Sequence, residues 1–95
     1  MSVYFFASIR INDDLEYEKY LDAADDIFSK YKGSYLAVDG KPEVLEGEWD
    51  YSRAVLISFE TREDFHAWYR SDEYRGILQH RLSASECDTI LIQGK

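Results

Sequence analysis

Residues 3–11 alternate Val3, Phe5, Ala7, Ile9 and Ile11 with Tyr4, Phe6, Ser8 and Arg10. A period of two is the signature of a β-strand, whose successive side chains point to opposite faces. One face of this strand is wholly apolar. The other begins with Tyr4 and Phe6 and turns polar only towards Arg10, so it too needs partial cover. Whatever the chain folds into must therefore place apolar surface against both sides of its first strand.

The rest of the chain reads as a short series of elements. Asp13 with Glu16 three residues on is a capping-box variant. It opens a helix whose apolar positions are Tyr17, Tyr20, Leu21, Ala24, Ile27, Phe28 and Tyr31. The opposite, acidic face is read as solvated, and Gly33 is expected to end the helix in a left-handed conformation. Residues 34–38 form a short strand, Asp39-Gly40 signals a hairpin turn, and residues 44–49 are expected to return as its partner. Pro42 suits that turn or a sheet edge, and Glu46, Glu48 and Asp50 would protect the edge. Glu46 would serve as a general base only if buried. Arg53–Phe59 is a core strand, with Val55, Ile57 and Phe59 on one face and Ala54, Leu56 and Ser58 on the other. Thr61 caps the next helix, and Ser71 with Asp72 and Glu73 forms a second cap, so the helical region breaks there and restarts through Tyr74, Ile77, Leu78 and Arg81. Residues 89–93 make the last strand.

Strand, helix, strand pair, strand, bent helix, strand is the order of an α+β, ferredoxin-like split βαβ sheet with an inserted hairpin arm. The 95 residues suffice for one domain, residues 1–95, and a chain of this size buries about 60 to 70 % of its unfolded surface. Helices cover one face of such a sheet. The other carries Tyr4, Phe6, Leu56 and, depending on register, Leu91, too much large apolar surface to leave in water. A second copy is the economical cover, and two such sheets face to face make a dimeric α+β barrel.

Charge narrows the partners. Eleven basic against 19 acidic residues leave a net charge of −8, which repels phosphate backbones and anionic membranes alike. Neither nucleic acid nor membrane is expected as a partner. Cys87 is the one cysteine, so no intrachain disulfide forms. No cysteine and histidine set has zinc-site spacing. The N-terminal apolar run is short, without a preceding Lys or Arg, and reads as neither signal peptide nor membrane span. A cytoplasmic protein that needs no cofactor is the expectation.

Candidate chemistry concentrates in residues 60–82, where Trp68, Tyr69 and Tyr74 lie among Arg70, Arg75, His80 and Arg81. Phe65, Trp68 and Tyr69 at helical spacing read first as core. The alternative is a pocket for a small anionic or aromatic molecule between sheet and bent helix, with Arg10 and Arg81 as anion holders and Tyr4, Trp68, Tyr69 and Tyr74 as walls. His80 and Arg81 are then the candidate catalytic residues, with His80 as acid or base; His66, beside charged neighbours, is expected to be exposed. Against the pocket stands a structural role in which Arg81 pairs with Glu73 or Glu86. No metal site is assigned, Cys87 is expected to pack near the last strand, and a haem-binding version would have only His80 to offer as axial ligand. A cofactor-free enzyme and a non-catalytic dimeric ligand-binding or interaction module both remain open.

Three stretches carry a resemblance across nearly the whole chain: Pro42-Glu43-Val44-Leu45-Glu46-Gly47-Glu48-Trp49, the strand ending Ile57-Ser58-Phe59, and Ala67-Trp68-Tyr69-Arg70-Ser71-Asp72-Glu73-Tyr74. They resemble the domain-of-unknown-function 1330 family, and Arg81 stands where that family has an arginine. The resemblance implies a dimeric α+β barrel, of a superfamily that includes muconolactone isomerase-like, antibiotic-biosynthesis monooxygenase-like and haem-degrading members. It implies no particular activity.

Overall fold

In the computed structural model, which describes residues 2–95, the chain runs β1 (Val3–Ile11), α1 (Asp14–Phe28), β2 (Gly33–Asp39), β3 (Arg53–Phe59), α2 (Arg62–Tyr69), α3 (Asp72–Ala84) and β4 (Ser85–Gln93). The four strands form one antiparallel sheet in the order β2-β3-β1-β4. The doubly apolar strand β1 is thus central. Phe5 lies opposite Ile57 on one side and Leu91 on the other. That register sets Val3, Phe5, Ala7 and Ile9 beside Val55, Ile57 and Phe59 on the face that packs, fully buried, against Phe65, Trp68, Tyr74 and Leu78 of the helices.

Each helix begins at the cap read from the sequence. Asp13 Oδ1 accepts from the Glu16 amide at 3.1 Å, Thr61 Oγ1 from the Asp64 amide at 3.0 Å, and Ser71 Oγ from the Tyr74 amide at 3.1 Å. Ser71 also donates to the Trp68 carbonyl at 2.8 Å, so one hydroxyl closes α2 and opens α3. This joint aims Trp68 and Tyr74 at the same space, with ring centroids 4.3 Å apart.

Four expectations are corrected. Helix α1 stops at Phe28 with Ser29 still right-handed, and Gly33 opens β2 instead of capping the helix. Its lack of a side chain has another cause: a Cβ there would lie 2.6 Å from Phe28 Cζ and 2.7 Å from the Phe59 ring. Residues 44–49 form no strand. Strand β2 pairs directly with β3, from Gly33 opposite Phe59 to Asp39 opposite Ala54, and its outer edge is the unpaired margin of the sheet. The arm is held at its end instead, where the Ser52 amide donates to the Ile9 carbonyl at 2.7 Å and Ser52 Oγ accepts from the Ile11 amide at 2.9 Å. Strand β4 begins at Ser85 rather than at 89, because Ser85 to Asp88 continue the ladder opposite Ile11 to Ser8. Finally, Leu91 faces the helices. Ile90 and Ile92 take the open face instead, beside Phe6 and Tyr4, and are 55 % and 44 % exposed.

Candidate functional site

Between the buried face of the sheet and the helices lies a cavity of about 560 Å³. Phe5, Val55 and Ile57 supply its floor, Tyr17 and Tyr20 come from α1, and Trp68, Tyr74 and Arg81 come from α2 and α3. Helical spacing explains the convergence, since Trp68, Tyr74 and Arg81 fall on the core-facing sides of two helices joined at Ser71. Most of the wall is apolar or aromatic.

Arg81 is only 2 % exposed, yet no carboxylate among the described residues lies within ion-pair distance of it. Its two expected partners are engaged elsewhere: Glu73 pairs with Lys30, and Glu86 with Arg10 at 3.3 Å. Neither ion pair offered for Arg81 is therefore formed. Its Nε is buried without a hydrogen-bond partner, and its Cζ lies 5.8 Å from the Tyr20 ring centroid. Burial works against the cation, but the phenols of Tyr74 and Tyr20, then Cys87 and Tyr69, outweigh it, and the guanidinium's pKa rises. Arg81 is a permanent buried charge.

The Tyr20 and Tyr74 hydroxyls share a hydrogen bond 2.7 Å long. Burial pushes both phenols up, Tyr20 far above its ordinary value, while Arg81 pulls on Tyr74 in the opposite direction. At neutral pH both stay protonated and neither is a base; one donates to the other, which leaves a single O–H free to donate. Trp68 touches the rings of Phe5, Phe28, Phe59, Phe65, Tyr69 and Tyr74, and its Nε1 is a buried donor without a partner. It is core and cavity wall together.

Other residues named from the sequence lie elsewhere. Arg10 alternates with Ile9 and Ile11, so it leaves the sheet on the open face, where it pairs with Asp50 at 2.7 Å and sits 4.8 Å from the Tyr51 ring centroid. Tyr4, opposite Ser58 and Ile92, is on the same face. The structure does not bring either to Arg81. Tyr69 packs on Phe65, with centroids 5.1 Å apart, behind the wall. His80 lies at the α1–α3 contact, its Nδ1 bonded to Glu16, and does not reach the cavity. His66 is half-buried rather than exposed, edge-on to Phe65 at 5.0 Å. Glu46 is exposed, which removes the condition set for a base. Among the described residues no group of three or more His, Cys, Asp or Glu could hold a metal ion, and no helix is long and apolar enough to cross a membrane.

Sequence reading missed Arg53, Tyr17 and Tyr20. Arg53 shares the parity of Val55, Ile57 and Phe59, which places it on the helix-facing side of β3 opposite Ile9. That parity was a usable signal. Tyr17 and Tyr20 were legible as the apolar stripe of α1, but nothing in the spacing distinguishes a wall from a filled core. A second, wider hollow of about 790 Å³ lies on the open face between residues 42–49 of the arm and Phe6 with Ala54, with Glu43, Glu46 and Glu48 around it.

The family described as "Domain of unknown function (DUF1330)" matches residues 2–95. No curated protein matches the chain. Among solved structures, a protein of unknown function from Rhodopseudomonas palustris is 15 % identical, with a TM-score of 0.83 over 99 % of this chain and 82 % of that one. SnoaB, a cofactor-independent oxygenase from Streptomyces nogalater, is 12 % identical with a TM-score of 0.66, over 99 % and 93 %. A dimeric ferredoxin-like protein of unknown function from Thermobifida fusca YX is 18 % identical with a TM-score of 0.70, over 99 % and 92 %. At such identities the likeness is one of fold: α+β, ferredoxin-like.

Proposed function

Since the chain belongs to the DUF1330 family, which brings a fold and no reaction, we propose from its own cavity that it binds a small organic acid with an aromatic or unsaturated body. One observation carries this reading: Arg81 is buried in an aromatic cavity with no carboxylate to neutralise it. A lone buried cation is costly, and a ligand carboxylate would supply both the missing charge and planar acceptors for the guanidinium. The Tyr20–Tyr74 hydroxyl pair adds one free donor, and Trp68 and Phe5 add faces for an apolar body. Because the phenols titrate far above neutrality and His80 stands outside, the cavity's own groups favour binding over proton abstraction. SnoaB, of the same fold, is described as a cofactor-independent oxygenase.

We propose further that a second copy covers the open sheet face. Exposed Ile90 and Ile92, with half-buried Leu56 across the sheet, support it, as does the dimeric ferredoxin-like neighbour.

Thermal shift against a panel of small aromatic and unsaturated acids tests the ligand. An acid present at 100 times its Kd should stabilise the protein by about 2.7 kcal/mol, several degrees in Tm. Arg81→Gln should remove that shift. A panel in which no acid raises the Tm of the wild-type protein overturns the reading.

A further inference from the structure

The cavity holds a second cation. Arg53 enters the wall from β3, its Nε buried and without a hydrogen-bond partner, and like Arg81 it has no carboxylate within ion-pair distance among the described residues. Arg53 Cζ lies 5.9 Å from the Tyr17 ring centroid, the Tyr17 and Tyr20 rings are 5.6 Å apart, and Arg81 Cζ lies 5.8 Å from Tyr20. A run of contacts thus passes from one guanidinium to the other across two rings. We propose that the natural ligand carries two carboxylates on a flat, unsaturated or aromatic body, one held at Arg81 and the other at Arg53, with the body along the Tyr17–Tyr20 wall.

This rests on the acid-binding reading of the cavity and narrows it to a dianion. The charge balance supports it. Asp25 is the one carboxylate in the wall; it is exposed at the rim and lies beside Tyr35, whose phenol is pushed up to about 12, by burial first and by Asp25 second. One rim acid does not neutralise two inner cations, and it contacts neither. A monoacid would satisfy Arg81 and leave Arg53 unpaired, whereas a diacid satisfies both. A site with built-in polar groups discriminates most strongly against the analogue that leaves one of them unmatched. Both guanidiniums also pull down on Tyr17, whose phenol burial otherwise raises, so their fields overlap where the ligand body would lie.

The test uses the whole protein and four probes on one ring: benzoate and the three benzenedicarboxylate isomers, titrated by calorimetry at fixed ionic strength. At least one diacid should bind ten-fold or more tightly than benzoate. Arg53→Gln should weaken that diacid ten-fold or more and benzoate far less, while Arg53→Lys, which keeps the charge, should retain part of the preference. Arg81→Gln should abolish binding of both. If benzoate binds as tightly as every diacid, or if a folded Arg53→Gln protein keeps the full preference, the dianion proposal falls and the acid-binding reading stands. If none of the four binds, while circular dichroism shows the wild-type protein folded, both fall together.

Discussion

Arg81 is an expensive residue to keep. A buried cation without a partner lowers stability, and replacing buried charge by well-packed apolar groups is often neutral or stabilising by about 1–4 kcal/mol. Arg81→Met should therefore melt at or above the wild-type temperature in plain buffer while losing every acid-induced shift; a protein that melts early would return Arg81 to a structural role. Trp68 behaves oppositely. It is 2 % exposed and touches six aromatic rings, so Trp68→Ala should cost about 3–5 kcal/mol. Denaturant unfolding measures that cost, and a loss under about 1 kcal/mol would show that its neighbours collapse into the gap. At this scale the sequence was half legible. Trp68, Tyr74 and Arg81 could be grouped because helical spacing sets them on one side. Arg10 was grouped with them by its chemistry, although strand parity sends it to the opposite face, and the same parity would have nominated Arg53.

Between elements, α1 is tied to α3 by a hydrogen bond as well as by rings, and an ion pair joins α3 to the turn that follows α1. Glu16 accepts from His80 and lies 3.2 Å from Lys19, and Lys30 reaches Glu73. The His80 hydrogen bond, then that of Lys19, holds the Glu16 carboxyl below its ordinary value. A depressed folded pKa means stability that is present above the unfolded value, about 4.3, and lost as pH falls through the folded one. Glu16→Gln should flatten the acid limb of a Tm-against-pH curve below pH of about 5, with little change at neutrality beyond a small constant offset. A mutant whose acid limb matches the wild-type curve would show that the contact contributes nothing. Caps and strands were readable here because each is local: a hydroxyl three residues before an amide, an alternation of two. The arm was not, because Asp39-Gly40 is a sound turn signal that does not report which later segment pairs with β2. Gly33 misled for a similar reason, since a close approach of Phe28 and Phe59 looks in sequence like a helix stop.

As a whole the molecule is a slab, with Cα extents of 32 × 31 × 16 Å. That thinness is what one sheet with helices on a single side produces, and it leaves the second apolar face of β1 to be covered by something other than this chain's helices. If a second copy does so, light scattering at micromolar concentration should give twice the chain mass, and Leu56→Lys, which sets a charge in the middle of that face, should give monomers or unfolded protein. A wild-type protein that scatters as a monomer at all concentrations defeats the arrangement. The cavity under the helices also has a mechanical meaning. Hollow space inside a fold is volume that unfolding abolishes, so hydrostatic pressure favours the unfolded chain, typically through a change of about −20 to −100 mL/mol that scales with the voids removed. The hollow of about 560 Å³ opens to solvent at its rim, so only the part that water leaves empty counts towards this change. Tryptophan fluorescence followed under pressure should therefore show a bound acid, by filling the hollow, raising the pressure the fold withstands.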